Sequence, residues 1–120
     1  MGTEYCTYVM TAARFTFEEF EEALGEDWAE RFETYHDNPY KEHVGSHNGL
    51  TMITDGMNGE YIFFGFVMAK ADQYSGLEVV DVEECVGYKH EVEEAIYREF
   101  DRLGVKMLFR VGVYAFAYWH

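Results

Sequence analysis

The stretch that decides the fold runs from Phe15 to Asp37 and reads FTFEEFEEALGEDWAERFETYHD. It marks a switch from strand to helix. Ahead of it, Glu4 to Thr11 is rich in Tyr, Thr, Val and Met, the composition of a strand. Thr16 then carries the signature of a helix N-cap. Glu19 follows three residues later, as in a capping box, and Phe15 and Phe20 hold the two positions of a hydrophobic staple. Beyond the cap, Phe17, Phe20, Leu24, Trp28, Phe32 and Tyr35 recur at steps of three or four. That spacing predicts one amphipathic helix ending near His36, ahead of Asn38-Pro39. Gly25 is its weakest point, since glycine inside a helix costs about 1 kcal/mol.

Outward from this stretch the chain alternates again. Residues 40–49 read as a loop, and Leu50–Thr54 as a strand. Asn58-Gly59 is a two-residue hairpin signal, with Asp55-Gly56 competing. Glu60 to Ala71 is an aromatic and β-branched strand, followed by a turn over 72–76 and a further strand over Leu77–Val82. A second helix is expected from His90 to Leu103, with Val92, Ile96, Glu99/Phe100 and Leu103 on one face and Gly104 as its left-handed stop. Val105 to Trp119 reads as a long last strand. Val105, Met107, Phe109, Val111 and Val113 line one face, and Leu108, Tyr114, Phe116 and Tyr118 the other. A strand apolar on both faces is expected at the centre of a sheet. The order β-α-β-β-β-α-β predicts an α+β domain over residues 1–120, two helices on a mainly antiparallel sheet. It is related to the ferredoxin-like split βαβ plan, with one extra strand. Two helices do not cover both faces of such a sheet. Either a loop covers the second face or a partner does, a homodimer through the open face being one such arrangement.

Composition narrows the function. The chain has 120 residues, enough for one domain. Its 23 acids and 9 bases give a formal charge of −14, which repels a polyanion and argues against direct nucleic-acid binding. Its 22 Phe, Tyr and Trp residues argue for a packed core over an acidic disordered tail. The uncharged apolar run Tyr61 to Ala69 is far short of a membrane span, and Met1 to Met10 lacks the features of a secretory signal. The expectation is a soluble cytoplasmic protein. Cys6 and Cys85 are too few and too widely spaced for a disulfide scaffold or a zinc knuckle.

The charge is concentrated. Arg14 to Asp37 holds nine acids and two bases; Asp81 to Arg102 holds eight acids and three bases. On the expected first helix, Glu19, Glu22, Glu26, Glu30 and Glu33 step by 3, 4, 4 and 3 opposite the apolar stripe, with Asp27 and Asp37 at the margins. Like charges at those spacings repel by a few tenths of a kcal/mol per pair, where an ordinary solvated face alternates Glu with Lys. A rise of about 1.5 Å per residue sets such rungs roughly 5–6 Å apart, close to the spacing of phosphates along a nucleic-acid strand. Such a row suits a groove built for a phosphate backbone.

Other constellations are weaker. His36, His43 and His47, near Asp37 and Glu42, contain donors for zinc or iron, but Gly45, Ser46 and Gly49 argue for a loop and no HExxH accompanies them. Ser46 beside His47 does not make a triad, and no GxSxG, phosphate loop or dinucleotide motif is present. The expectation is no enzyme, no cofactor and no metal. Tyr61, Phe63, Phe64 and Phe66 could suggest a base-stacking sheet, but only Lys70 lies near them, so they read as core. Tyr118 and Trp119 would anchor an interface if exposed.

In size and charge the chain resembles small acidic phage-encoded inhibitors of restriction and CRISPR enzymes. That resemblance implies a DNA mimic that binds a basic surface, with Glu19, Glu22, Glu26, Asp27, Glu30, Glu33 and Asp37 at the contact. An immunity or antitoxin protein against a basic toxin uses the same chemistry and is a second reading. A small metal-dependent enzyme or ligand-binding domain built on His36, His43 and His47 is a third.

Overall fold

A computed structural model describes residues 5–35, 49–55, 59–72 and 79–119. Two twelve-residue strands form the centre of the sheet. β1 (Tyr5–Thr16) and β3 (Tyr61–Asp72) pair antiparallel; β2 (Thr51–Thr54) flanks β3 and β4 (Val111–Trp119) flanks β1, giving the order β2-β3-β1-β4. Between β1 and β2 lie α1 (Phe17–Leu24), α2 (Trp28–Arg31) and a 3-10 turn (Glu33–Tyr35). Between β3 and β4 lie α3 (Val82–Gly87) and α4 (Lys89–Leu103). This is the α+β arrangement expected, and its strand order is that of the split βαβ plan.

Several details differ from the sequence reading, beginning with β1, which runs past the expected Thr11 to Thr16. The extra strand over Leu77–Val82 does not form in its described part. Asp81 instead caps α3, its carboxylate accepting from the backbone amides of Glu83 at 2.9 Å and Glu84 at 3.4 Å. The single long helix divides at Gly25, as taken up below. The final strand begins at Val111, because Gly104 and Val105 close α4. Gly104 sits at φ +71°, and Val105 N donates to Phe100 O at 2.8 Å. Lastly, β4 is an edge strand that pairs only with β1. The turn from β2 to β3 is also longer than the two-residue signal suggested. Asp55 N donates to Tyr61 O, and Gly59, at φ +66°, donates to Asp55 O; Asn58 lies outside the described residues.

One face of the sheet is covered by the helices. Phe15, Ala13, Ile62, Phe64, Met52 and Val111 meet Phe20, Trp28, Phe32 and Tyr35 from the first helical segment and Val92, Ile96 and Phe100 from α4. Rings interlock through this layer, Phe15 with Phe20 at 4.8 Å, Phe20 with Phe32 at 5.4 Å, and Phe32 with Phe64 at 5.7 Å. Buried Thr11 joins the layers differently, its Oγ1 donating to Cys85 O at 2.8 Å.

Among the described residues, the other face is packed by side chains of the sheet itself. Phe63 projects from β3 and Phe116 from β4, on either side of β1, and their rings stack at 4.3 Å and 13°. With Val67 they pack over Cys6, Tyr8, Met10, Ala12 and Ile53, all of which are buried. The flanking aromatics close over β1, Phe116 also stacking on Tyr8 at 5.6 Å. This is why β4 is apolar on both faces without being central.

The sheet tolerates no side chain at Gly65. A Cβ there would lie 2.3 Å from Thr11 O and 2.5 Å from Ala12 Cα, both backbone atoms that cannot move aside cheaply. Gly65→Ala is expected to lower unfolding free energy by about 3 kcal/mol. Gly87→Ala, where a Cβ meets nothing within 4 Å, is expected to be neutral or slightly stabilising. Thermal melts of the two variants beside wild type check this; equal midpoints would refute the close approach.

Candidate functional site

The acidic segment is built outward from Thr16. This residue ends β1 and caps α1 at once, so no loop intervenes. Its Oγ1 accepts from Glu19 N at 3.1 Å, and its own amide donates to Glu19 Oε1 at 3.2 Å, completing the expected capping box. The staple forms too, through the Phe15–Phe20 ring pair. With Phe20 turned down into the core, Glu18, Glu19, Glu21 and Glu22 face solvent.

The expected even ladder is not formed. Gly25 adopts φ +91° and ψ 179°, its amide closing α1 on Glu21 O at 2.9 Å. That conformation suits glycine and ends the helix after Leu24. The chain re-enters a single helical turn at Trp28, where the ring packs against Phe17 at 5.2 Å and Phe20 at 5.3 Å. Glu26 and Asp27 therefore lie on a turn, Glu30 on α2 and Glu33 on the 3-10 turn. All are exposed. Asp37 lies outside the described residues, as do His36, His43 and His47. Among the described residues no Lys or Arg forms an ion pair with Glu18, Glu19, Glu21, Glu22, Glu26, Asp27, Glu30 or Glu33. Arg31, the one base inside this run, directs its Nη2 to Leu103 O at 3.0 Å instead. That carbonyl belongs to the C-terminal end of α4, where a cation is favoured by the helix dipole.

A buried polar lock holds the far end of the segment. Tyr35 Oη donates to Glu99 Oε2, and Arg102 Nε and Nη2 donate to the same oxygen at 3.1 and 2.9 Å. Glu99 is only 5% exposed, so its charge depends on these donors. Burial, and then the bond to Glu99, raise the Tyr35 phenol above its ordinary pKa of 10.0. Glu99 and Tyr35 hold Arg102 protonated more firmly than usual. The sequence signal for this lock is a carboxylate on the apolar stripe of α4, between Ile96 and Leu103. The partners in the other half of the chain leave no local signal.

The described residues contain no group of three His, Cys, Asp or Glu side chains able to hold a metal ion. Cys6 and Cys85 are both buried, and burial pushes the Cys85 thiol up, away from reactive thiolate. The aromatic run of β3 divides between faces. Phe64 joins the helical core, while Tyr61 and Phe63 face the other way. There Arg14 lies over the rings of Tyr61 at 5.2 Å and Tyr114 at 5.7 Å, a pairing that sequence spacing did not reveal.

The Tyr35 lock predicts an alkaline signature. A phenol whose pKa is raised by folding contributes stability that is full below about pH 10 and is lost as pH climbs through the folded value. Tyr35→Phe is expected to cost about 1–2 kcal/mol at neutral pH, by removing a donor from a buried carboxylate. The gap between variant and wild type should then narrow above pH 10. Urea melts from pH 7 to 11 test it, and a gap that stays constant across that range would contradict the assignment.

Comparison with protein-family models, with curated proteins and with solved structures returned no match to this chain, so the chemistry of its own surface is what there is to interpret.

Proposed function

We propose that this is a small cytoplasmic binding protein, not an enzyme, which inhibits a nucleic-acid enzyme by occupying its basic groove with carboxylates. The observation that carries this reading is the acidic segment of residues 18–33. Eight exposed acids there lack a Lys or Arg partner among the described residues. A surface selected only for dispersal would interleave cations and avoid that repulsion. Here the nearest base is turned away to cap α4. The segment is also held firmly from beneath, by Phe20, Trp28, Phe32 and Tyr35, so the carboxylates are presented on a fixed base.

The break at Gly25 changes the form of the proposed mimic. It offers two short acidic runs in place of one even row, with Glu18, Glu19, Glu21 and Glu22 on α1 and Glu26, Asp27, Glu30 and Glu33 beyond the break. Glu19 also serves the capping box, so its charge is the least free to reorient. No helix among the described residues is long and apolar enough to cross a membrane.

The test is a charge reversal at Glu22→Lys, Glu26→Lys and Glu30→Lys together. All three side chains are exposed, and among the described residues none makes an ion pair or side-chain hydrogen bond that the fold would lose. Wild type is expected to inhibit at least one member of a panel of restriction and CRISPR nucleases, with affinity falling steeply between low and high salt. The triple variant should keep its thermal midpoint and lose inhibition by at least about 100-fold, about 2.7 kcal/mol. Equal inhibition by the variant, or no inhibition of any member by wild type, would sink the proposal.

A further inference from the structure

The sheet ends on an undefended strand. β4 pairs with β1 along one side, and among the described residues nothing pairs with its other side. Nine residues at about 3.4 Å each present roughly 30 Å of open backbone donors and acceptors. Edge strands of that length are ordinarily blunted by charge, proline or a bulge, because the open ladder recruits other strands. β4 reads VGVYAFAYW, without a charge or a proline, in a chain whose residues are 27% charged. Its register with β1 runs unbroken, and the sheet's one irregularity lies on the opposite side of β1, against β3.

The flanks of this edge are apolar as well. Four of the six large apolar side chains exposed among the described residues belong to the segments beside β4. Val79, Val82 and Val86, at 92, 62 and 49% exposure, lie on α3 and just before it, and α3 packs against β4. Leu108, at 96%, is on the chain entering the strand. Ala115 and Ala117 of the strand itself are exposed on the helical side.

We propose that this edge is a homodimer interface, in which two copies of the chain pair β4 with β4 antiparallel about a two-fold axis at Phe116. The occupant is a second copy because β4 is its own complement. A two-fold antiparallel pair sets against each other residues whose numbers share one sum. Tyr114-Ala115-Phe116-Ala117-Tyr118 reads the same in both directions. An axis at Phe116 therefore matches Tyr114 with Tyr118, Ala115 with Ala117 and Phe116 with itself. Aromatics meet on one face and alanines on the other, as cross-strand pairs prefer. The result is one continuous eight-stranded sheet. About 30 Å of edge, across a molecule 21 Å in its shortest extent, buries roughly 600 Å² per protomer, at the low end of specific interfaces. An interface of that size is expected to be a transient one. It rests on the edge strand and is independent both of the acidic segment and of any pairing through the open face.

Light scattering on the full chain tests this, from about 5 µM to about 200 µM, a range that brackets so small an interface. Wild type is expected to approach twice the 14.1 kDa chain mass at the top of that range. Ala115→Lys with Ala117→Lys places charges at two exposed positions, and that double variant should stay at 14.1 kDa throughout with an unchanged circular dichroism spectrum. Hydrogen exchange gives a second reading on unaltered protein. The outward amides of β4 should exchange several-fold more slowly at the high concentration. Wild type monomeric at every concentration, a double variant that dimerises like wild type, or exchange in β4 independent of concentration would each overturn the proposal.

Discussion

The fold turns on Thr16, the residue at which a strand becomes a helix without a loop. Its backbone is extended enough to end β1 and its hydroxyl is placed to start α1. Because the two elements share this residue, the helix has no freedom to choose its own azimuth. Phe15 points below the sheet, Phe20 is brought against it, and the rest of the first helical segment inherits that orientation. The acids between the aromatic positions then have only one way to face. Both the aromatic core and the acidic exterior follow from a single capping interaction.

Much of this was legible because its causes are local. The capping box and staple involve residues at most five apart, and the Gly104 stop and the two long strands are announced by short runs of sequence. What was not legible involves either competition or distance. Gly25 was visible as a weak point, but its outcome depended on whether Trp28 and Phe32 could reach the core as well from a second turn as from a continuous helix. They reach it from the second turn, through the edge contacts of Trp28 with Phe17 and Phe20. Asp81 looked like the end of a strand, because the value of a carboxylate as a cap appears only when the following amides are free to receive it.

The placement of β4 holds a more general lesson. Apolarity on both sides of a strand is ordinarily taken to mean neighbours on both sides. Here, among the described residues, one side is satisfied by helices and the other by aromatic side chains from the flanking strands, packed over Tyr8, Met10 and Ala12 of β1. Period-two patterning reports which residues are covered and is silent about what covers them. The same limitation hid the Tyr35–Glu99–Arg102 lock, in which Tyr35 lies 64 and 67 positions from its two partners on α4. It also hid Arg14 between Tyr61 and Tyr114.

The unpaired glutamates of α1 and α2 have a consequence for how this molecule can change. A charge that shares no hydrogen bond with its neighbours is coupled to them only by repulsion of about a few tenths of a kcal/mol, so substitutions there should combine nearly additively. Most carry no part of the folding free energy, Glu19 being the exception through its cap. The outer face can thus be rewritten one position at a time while the aromatic layer beneath stays as it is. Such a separation lets a lineage explore new surface patterns by small steps, without passing through unfolded intermediates.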